Sequence, residues 1–180
     1  MRYPRLTPVQ MTPRQHEVAE EIAKQRAGGL SDPYAALLYS PDVARLLQPL
    51  WEYLRFNLRL PEPLRLMAVV MTAARHKAAD AEIFLRGDNV RDSGLTNDKI
   101  KALLEGRRPT GMTQDEAIVY DFCSQLLKTG RVTDNVFDSM AARFDRAICV
   151  ELTTLCANTV MLKLVLKVTG THFADGEPAH

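Results

Sequence analysis

Apolar residues recur along this chain at the three-to-four-residue spacing of amphipathic helices, and start and stop signals bracket each run. Thr12-Pro13-Arg14-Gln15 combines a capping threonine, a proline at the first helical position and a glutamine three residues past the cap. The helix it opens is expected to run to about Ala27 and to stop at Gly28-Gly29. Ser40-Pro41-Asp42 repeats the start signal for a helix carrying Trp51 and Tyr53, with a kink or break expected at Pro49. After Leu60-Pro61-Glu62-Pro63, the positions Leu64, Met67, Ala68, Met71 and Ala74 mark one face of a further helix.

The second half follows the same grammar. A helix is expected over Asp80 to Asp92, with Gly94 as its stop, and Thr96-Asn97-Asp98 caps a short one reaching Glu105. Gly106 to Met112 reads as a linker. Thr113-Gln114-Asp115-Glu116 is a capping box, opening a helix that carries Ile118, Tyr120, Phe122 and Leu126 to the stop at Gly130. Thr133-Asp134 caps the next helix, which ends near Phe144; the last runs from about Arg146 to Gly170. No stretch alternates apolar and polar residues between turn signals, so no strand is expected. The fold class is all-α, with short loops and antiparallel neighbours in one domain over 1–170 and a tail over 171–180.

Composition narrows the function classes. The charge of +1 gives no field to attract nucleic acid or an anionic membrane. Cys123, Cys149 and Cys156 are too few and too scattered for a disulfide framework, and none forms a Cys-x-x-Cys pair. A reducing, cytoplasmic setting is the simplest reading. No apolar leader follows Met1. The apolar run from Ala147 to Val168 is interrupted by Glu151, Asn158, Lys163 and Lys167, and reads as a buried helix rather than a membrane span.

Few residues invite chemistry. Glu82 and Arg86 are four apart and share a helix face, either as a solvated ion pair or as a site. His76 closes a helix, where a cation suits the macrodipole, and Asp80 serves equally as a helix cap or a supporting carboxylate. Trp51, Tyr53 and Phe56 read as core or subunit-interface packing. The cysteines sit in apolar patterns as small hydrophobes, and Arg107-Arg108 reads as a solvated loop. The four histidines show no ligand spacing, so no metal is expected, and no phosphate-binding loop or nucleotide motif is present.

The order of Asp32-Pro33-Tyr34, Tyr39-Ser40-Pro41, Tyr53-Leu54-Arg55-Phe56, Leu60-Pro61, Asp80-Ala81-Glu82-Ile83 and Ser93-Gly94-Leu95-Thr96 resembles the carboxymuconolactone decarboxylase family, in its broad alkylhydroperoxidase-D-like sense. The likeness covers roughly residues 5–168 and implies an alkylhydroperoxidase D-like helical bundle forming a homo-oligomer: dimer, trimer or hexamer. In the family's Glu-Trp-x-x-His signature, Glu82 stands at the Glu and Arg86 at the His; Leu66 stands where many members carry a Glu. An arginine stays protonated and cannot relay a proton, but its fork can hold a carboxylate or an enolate. Thiol-peroxidase chemistry needs a Cys pair that Ala79 and Glu82 do not supply. The resemblance therefore implies a cofactor-independent lyase acting on a small anionic substrate. Glu82 would be its acid/base, Arg86 its anion holder and Asp80 a supporting group, with no nucleic-acid or membrane partner. The alternative is a non-catalytic member kept for small-molecule binding or assembly.

Overall fold

The computed structural model describes residues 3–25, 32–75 and 94–170, and these are all-α, with no strand among them. We number the helices α1 (Pro13–Gln25), α2 (Asp32–Leu37), α3 (Pro41–Glu52), α4 (Glu62–Arg75), α5 (Asn97–Leu104), α6 (Gln114–Thr129), α7 (Asp134–Phe144) and α8 (Arg146–Thr169). They fall into two compact units. One comprises the chain up to Phe56 together with the segment from Met161 onward; the other runs from Asn57 to Val160.

The first unit closes around Val18 and Ile22 of α1, Tyr34, Leu37 and Leu38 of the α2 region, Ala44 and Trp51 of α3, and Leu162 of α8. Helix α1 starts where the sequence places it. Thr12 N–H donates to Gln15 Oε1 at 2.8 Å and Gln15 N–H donates to Thr12 Oγ1 at 3.3 Å, which satisfies two donors that the first turn leaves open. Of the kink or break expected at Pro49, the break does not occur. Helix α3 runs through it to Glu52 and then widens into a π-helical turn over Tyr53–Asn57. Proline removes one N–H and crowds the preceding turn, yet the packing of Trp51 and Leu54, 8% and 1% exposed, holds the chain helical.

The second unit is built on α4. Its buried face, Leu64, Met67, Ala68 and Met71, lies in the core with Ile100 and Leu103 of α5, Val119 and Phe122 of α6, and Met140 of α7. Two electrostatic links lock the order of helices. Lys99 Nζ donates to both carboxylate oxygens of Glu116, at 2.8 and 2.7 Å, joining α5 to α6. Arg143 grips Asp115 through two parallel bonds of 2.6 and 2.7 Å, joining α7 to α6.

Helix α8 has the length and composition of a membrane-crossing helix, the one such helix among the described residues. Half of its most apolar window is buried inside the protein.

Candidate functional site

The second unit contains a cavity of about 260 Å³ between α4, α5 and α6. Its wall is apolar: Met71 and Ala74 from α4, Leu103 and Leu104 from α5, Leu127 and the ring of Tyr120 from α6. The Ser124 hydroxyl adds a small polar group. Around it stand Arg75, Arg107, Lys128 and Glu105, all exposed. The volume falls just under the usual range for small-molecule sites, about 300–1,000 Å³, so it suits a compact ligand.

Local sequence explains how these groups meet. Helix α5 ends in a Schellman turn: Gly106 N–H donates to Leu103 O at 3.0 Å and Arg107 N–H to Ala102 O at 2.8 Å. Gly106 has φ +71°, the left-handed conformation that a side chain resists, and it turns the chain so that Arg107 returns to the cavity. Arg107 Nε then donates to Glu105 Oε2 at 2.8 Å. Its neighbour Arg108 stacks over Tyr120, 4.9 Å from the ring centre, and pairs with Asp121. The Arg107-Arg108 loop is solvated, as its sequence reads, and it also braces the cavity wall.

Charge decides what such a pocket prefers. Among the described residues, three cations and one carboxylate leave a formal excess of two positive charges around it. The C-terminal ends of α5 and α6 oppose this with about half a negative charge each, confined to the last turn. The cations outweigh them, and Arg75 and Lys128 make no ion pair with a described residue. The arrangement offers an apolar body a dry wall and an anionic group a basic rim.

The Lys99–Glu116 link stands at the far end of α5, which supplies Leu103 and Leu104 to the cavity. Glu116 is 5% exposed. Burial disfavours its charge, but the Lys99 ammonium and the Thr113 N–H, 2.6 Å away, outweigh that and hold the carboxyl below its ordinary range. Sequence identifies Glu116 only as a capping residue. Its partner lies seventeen positions away, beyond the reach of any local pattern.

The cysteines are all buried. The Cys123 thiol lies against Cys156, which also meets Thr72. The hydrogen bond to Cys156, reinforced by burial, holds Cys123 well above the ordinary thiol range. Burial also raises Cys149, whose thiol donates to Asp145 O at 3.4 Å. Neither Cys123 nor Cys149 has the character of a thiolate nucleophile. A second cavity, about 320 Å³ and lined by Phe122, Phe137, Cys149 and Val150, has no charged residue among its described lining.

Asp80, Glu82 and Arg86, the residues the sequence singles out, lie outside the described residues, as does His76. The expected helix over Asp80 to Asp92 lies there too. Leu66 is described and sits half-buried on α4. Among the described residues no group of three or more His, Cys, Asp or Glu is placed to hold a metal ion.

No family model matches the chain, and neither a curated protein nor a solved structure matches it. The likeness to the carboxymuconolactone decarboxylase family rests on the sequence motifs alone.

Proposed function

We propose that the protein binds a small organic carboxylate with an apolar body in the cavity between α4, α5 and α6. The observation that carries this is the pairing of an apolar wall with the cationic rim of Arg75, Arg107 and Lys128 in one cavity. Such a site orients its ligand, since the carboxylate gains from staying at the wet, basic edge while the body leaves water. Glu105, held by Arg107, is the one carboxylate among the described residues at this cavity.

The second reading is catalytic and rests on the motif over Asp80 to Arg86. In it the protein is a cofactor-independent lyase of the carboxymuconolactone decarboxylase-like class, assembled as a homo-oligomer. Glu82 exchanges a proton with the substrate carbon, Arg86 holds the anion, and Asp80 supports them.

One screen separates the readings. Small mono- and dicarboxylates are tested by thermal shift on the wild type and on Arg75→Ala, Lys128→Ala, Arg86→Ala and Glu82→Gln. Ligand binding to the folded state raises the melting temperature by mass action. The cavity reading expects Arg75→Ala and Lys128→Ala each to weaken binding about three- to tenfold, about 0.7–1.4 kcal/mol, as fits exposed rim charges. The lyase reading expects Arg86→Ala to weaken it most, with Glu82→Gln sparing binding and removing turnover. Binding that all four variants retain unchanged would contradict both.

A further inference from the structure

A serine or threonine hydroxyl inside a helix has a ready partner, the carbonyl one turn back, and this chain makes regular use of it. Thr72 of α4, Thr129 of α6, Ser139 of α7, and Thr153, Thr154 and Thr159 of α8 each donate to the carbonyl oxygen four residues earlier, at 2.7–2.9 Å. Thr169 donates to the one three residues earlier, at 3.1 Å. Ser124, in the middle of α6, departs from this pattern. Its hydroxyl makes no hydrogen bond with Tyr120 O or with any other group of the described residues. Ser124 is half-buried and lines the cavity between α4, α5 and α6. Around it Met71, Ala74, Leu103 and Leu127 bring no hydrogen-bonding side chain to the wall.

We infer that the ligand of this cavity is a hydroxy-substituted aromatic carboxylate, whose hydroxyl group is read by Ser124. The inference rests on the carboxylate reading given above and adds the second polar contact to it. Three observations lead there. First, the Ser124 hydroxyl is kept free of the helix at the one place on the apolar wall where a ligand's body would lie. A polar group that loses its water when a ligand enters needs a new partner, or binding is weakened. An unsubstituted ring displaces that water and returns nothing. A hydroxyl on the ring replaces it as donor or acceptor, since a serine hydroxyl can be either.

Second, the spacing along α6 separates the two contacts. Ser124 and Lys128 are four residues apart and share one helix face, about 6 Å along the axis. A carboxylate held at the basic rim and a hydroxyl held at Ser124 therefore stand on opposite sides of a ring, rather than on neighbouring carbons. Third, the wall suits an aromatic body. The Tyr120 ring and the Met71 thioether are both partners that aromatic rings favour. A cavity of about 150 Å³ already holds benzene, so about 260 Å³ leaves room for a ring with its two polar substituents. The expected discrimination is moderate, because Ser124 can turn back to Tyr120 O when the ligand offers it nothing.

The test is isothermal titration at pH 7 of the full chain with benzoate and with 2-, 3- and 4-hydroxybenzoate, on the wild type, Ser124→Ala and Tyr120→Phe. The tighter of the 3- and 4-hydroxy acids is expected to bind the wild type three- to tenfold more tightly than benzoate. The 2-hydroxy acid, whose hydroxyl lies against its own carboxylate, is expected to gain less than twofold. Ser124→Ala should bring the ratio between the tighter hydroxy acid and benzoate to about one, and Tyr120→Phe should keep it. Alanine suits a helix interior, so this variant retains the fold, which its circular-dichroism signal checks. Benzoate that binds the wild type as tightly as the 3- and 4-hydroxy acids overturns this inference and leaves the carboxylate reading in place. So does a gain that survives Ser124→Ala, one that Tyr120→Phe abolishes, or an equal gain for the 2-hydroxy acid. Wild type that binds none of the four acids overturns both.

Discussion

Lys99→Met is expected to cost about 3 kcal/mol of stability at pH 7, the low end for removing one partner of a buried ion pair. The Glu116 side chain is 7% exposed and that of Lys99 16%, so the carboxylate loses its counter-charge in a place where water replaces it poorly. The Thr113 N–H remains, and the carboxyl can take up a proton instead, which keeps the loss from reaching the upper end of the range. The sign of the pH dependence follows. Folding lowers the pKa of Glu116, so the unfolded chain binds the proton more readily than the folded one. The stability this contributes is fully present above the unfolded value of about 4.3 and is lost as pH falls through the lower folded value. Urea titrations of wild type and Lys99→Met at pH 7 and pH 3 should show a gap that narrows in acid. A gap below about 1 kcal/mol at pH 7 would mean that the pair behaves as an exposed one.

Ser124→Phe is expected to remove carboxylate binding, at least tenfold, while leaving the fold in place. Ser124 is a small residue on the cavity wall, so an aromatic ring there occupies space that the ligand requires. Its neighbours Tyr120 and Leu127 belong to the same helical stripe and stay as they are. Overpacking of about 1–3 kcal/mol is the expected stability cost, which urea titration reads separately from binding. Isothermal titration with benzoate checks the affinity. A variant that binds benzoate as well as the wild type would place the ligand elsewhere.

Much of the helical layout is legible in the chain because it is set by short-range chemistry. Thr12 with Gln15, Thr113 with Glu116, and Thr96 with Lys99 N–H all cap as their spacing predicts, since a cap involves groups within one turn. Gly130 ends α6 with φ +70° for an equally local reason. Thr133 departs from its expected role. Its helix does start at Asp134, but its N–H and hydroxyl both reach Gln125 Oε1, eight positions earlier, so tertiary structure takes over the cap. Helix α3 also continues past Pro49 without a break, because burial of Trp51 and Leu54 outweighs a single proline.

The candidate site was not legible in the same way. Arg75 and Lys128 stand in the last turns of α4 and α6, where a cation suits the macrodipole, and nothing in the sequence singles out either. Their meeting with Arg107 at one cavity depends on how α4, α5 and α6 pack, and no spacing in the sequence encodes that. The Cys123–Cys156 contact has the same origin, thirty-three positions apart on α6 and α8. The pair Glu82 and Arg86 is the converse case. It is readable from helix periodicity and resemblance, and it lies outside the described residues.

The central claim is that a small carboxylate occupies the cavity between α4, α5 and α6, and amide chemical-shift mapping by NMR tests it most directly. Titration of benzoate into the isotopically labelled protein should move the amides of Gly106, Arg107, Ser124 and Lys128, and neutral benzamide should move them less. Shifts confined to the cavity around Phe137 and Val150, or a response to benzamide equal to that of benzoate, would contradict the account.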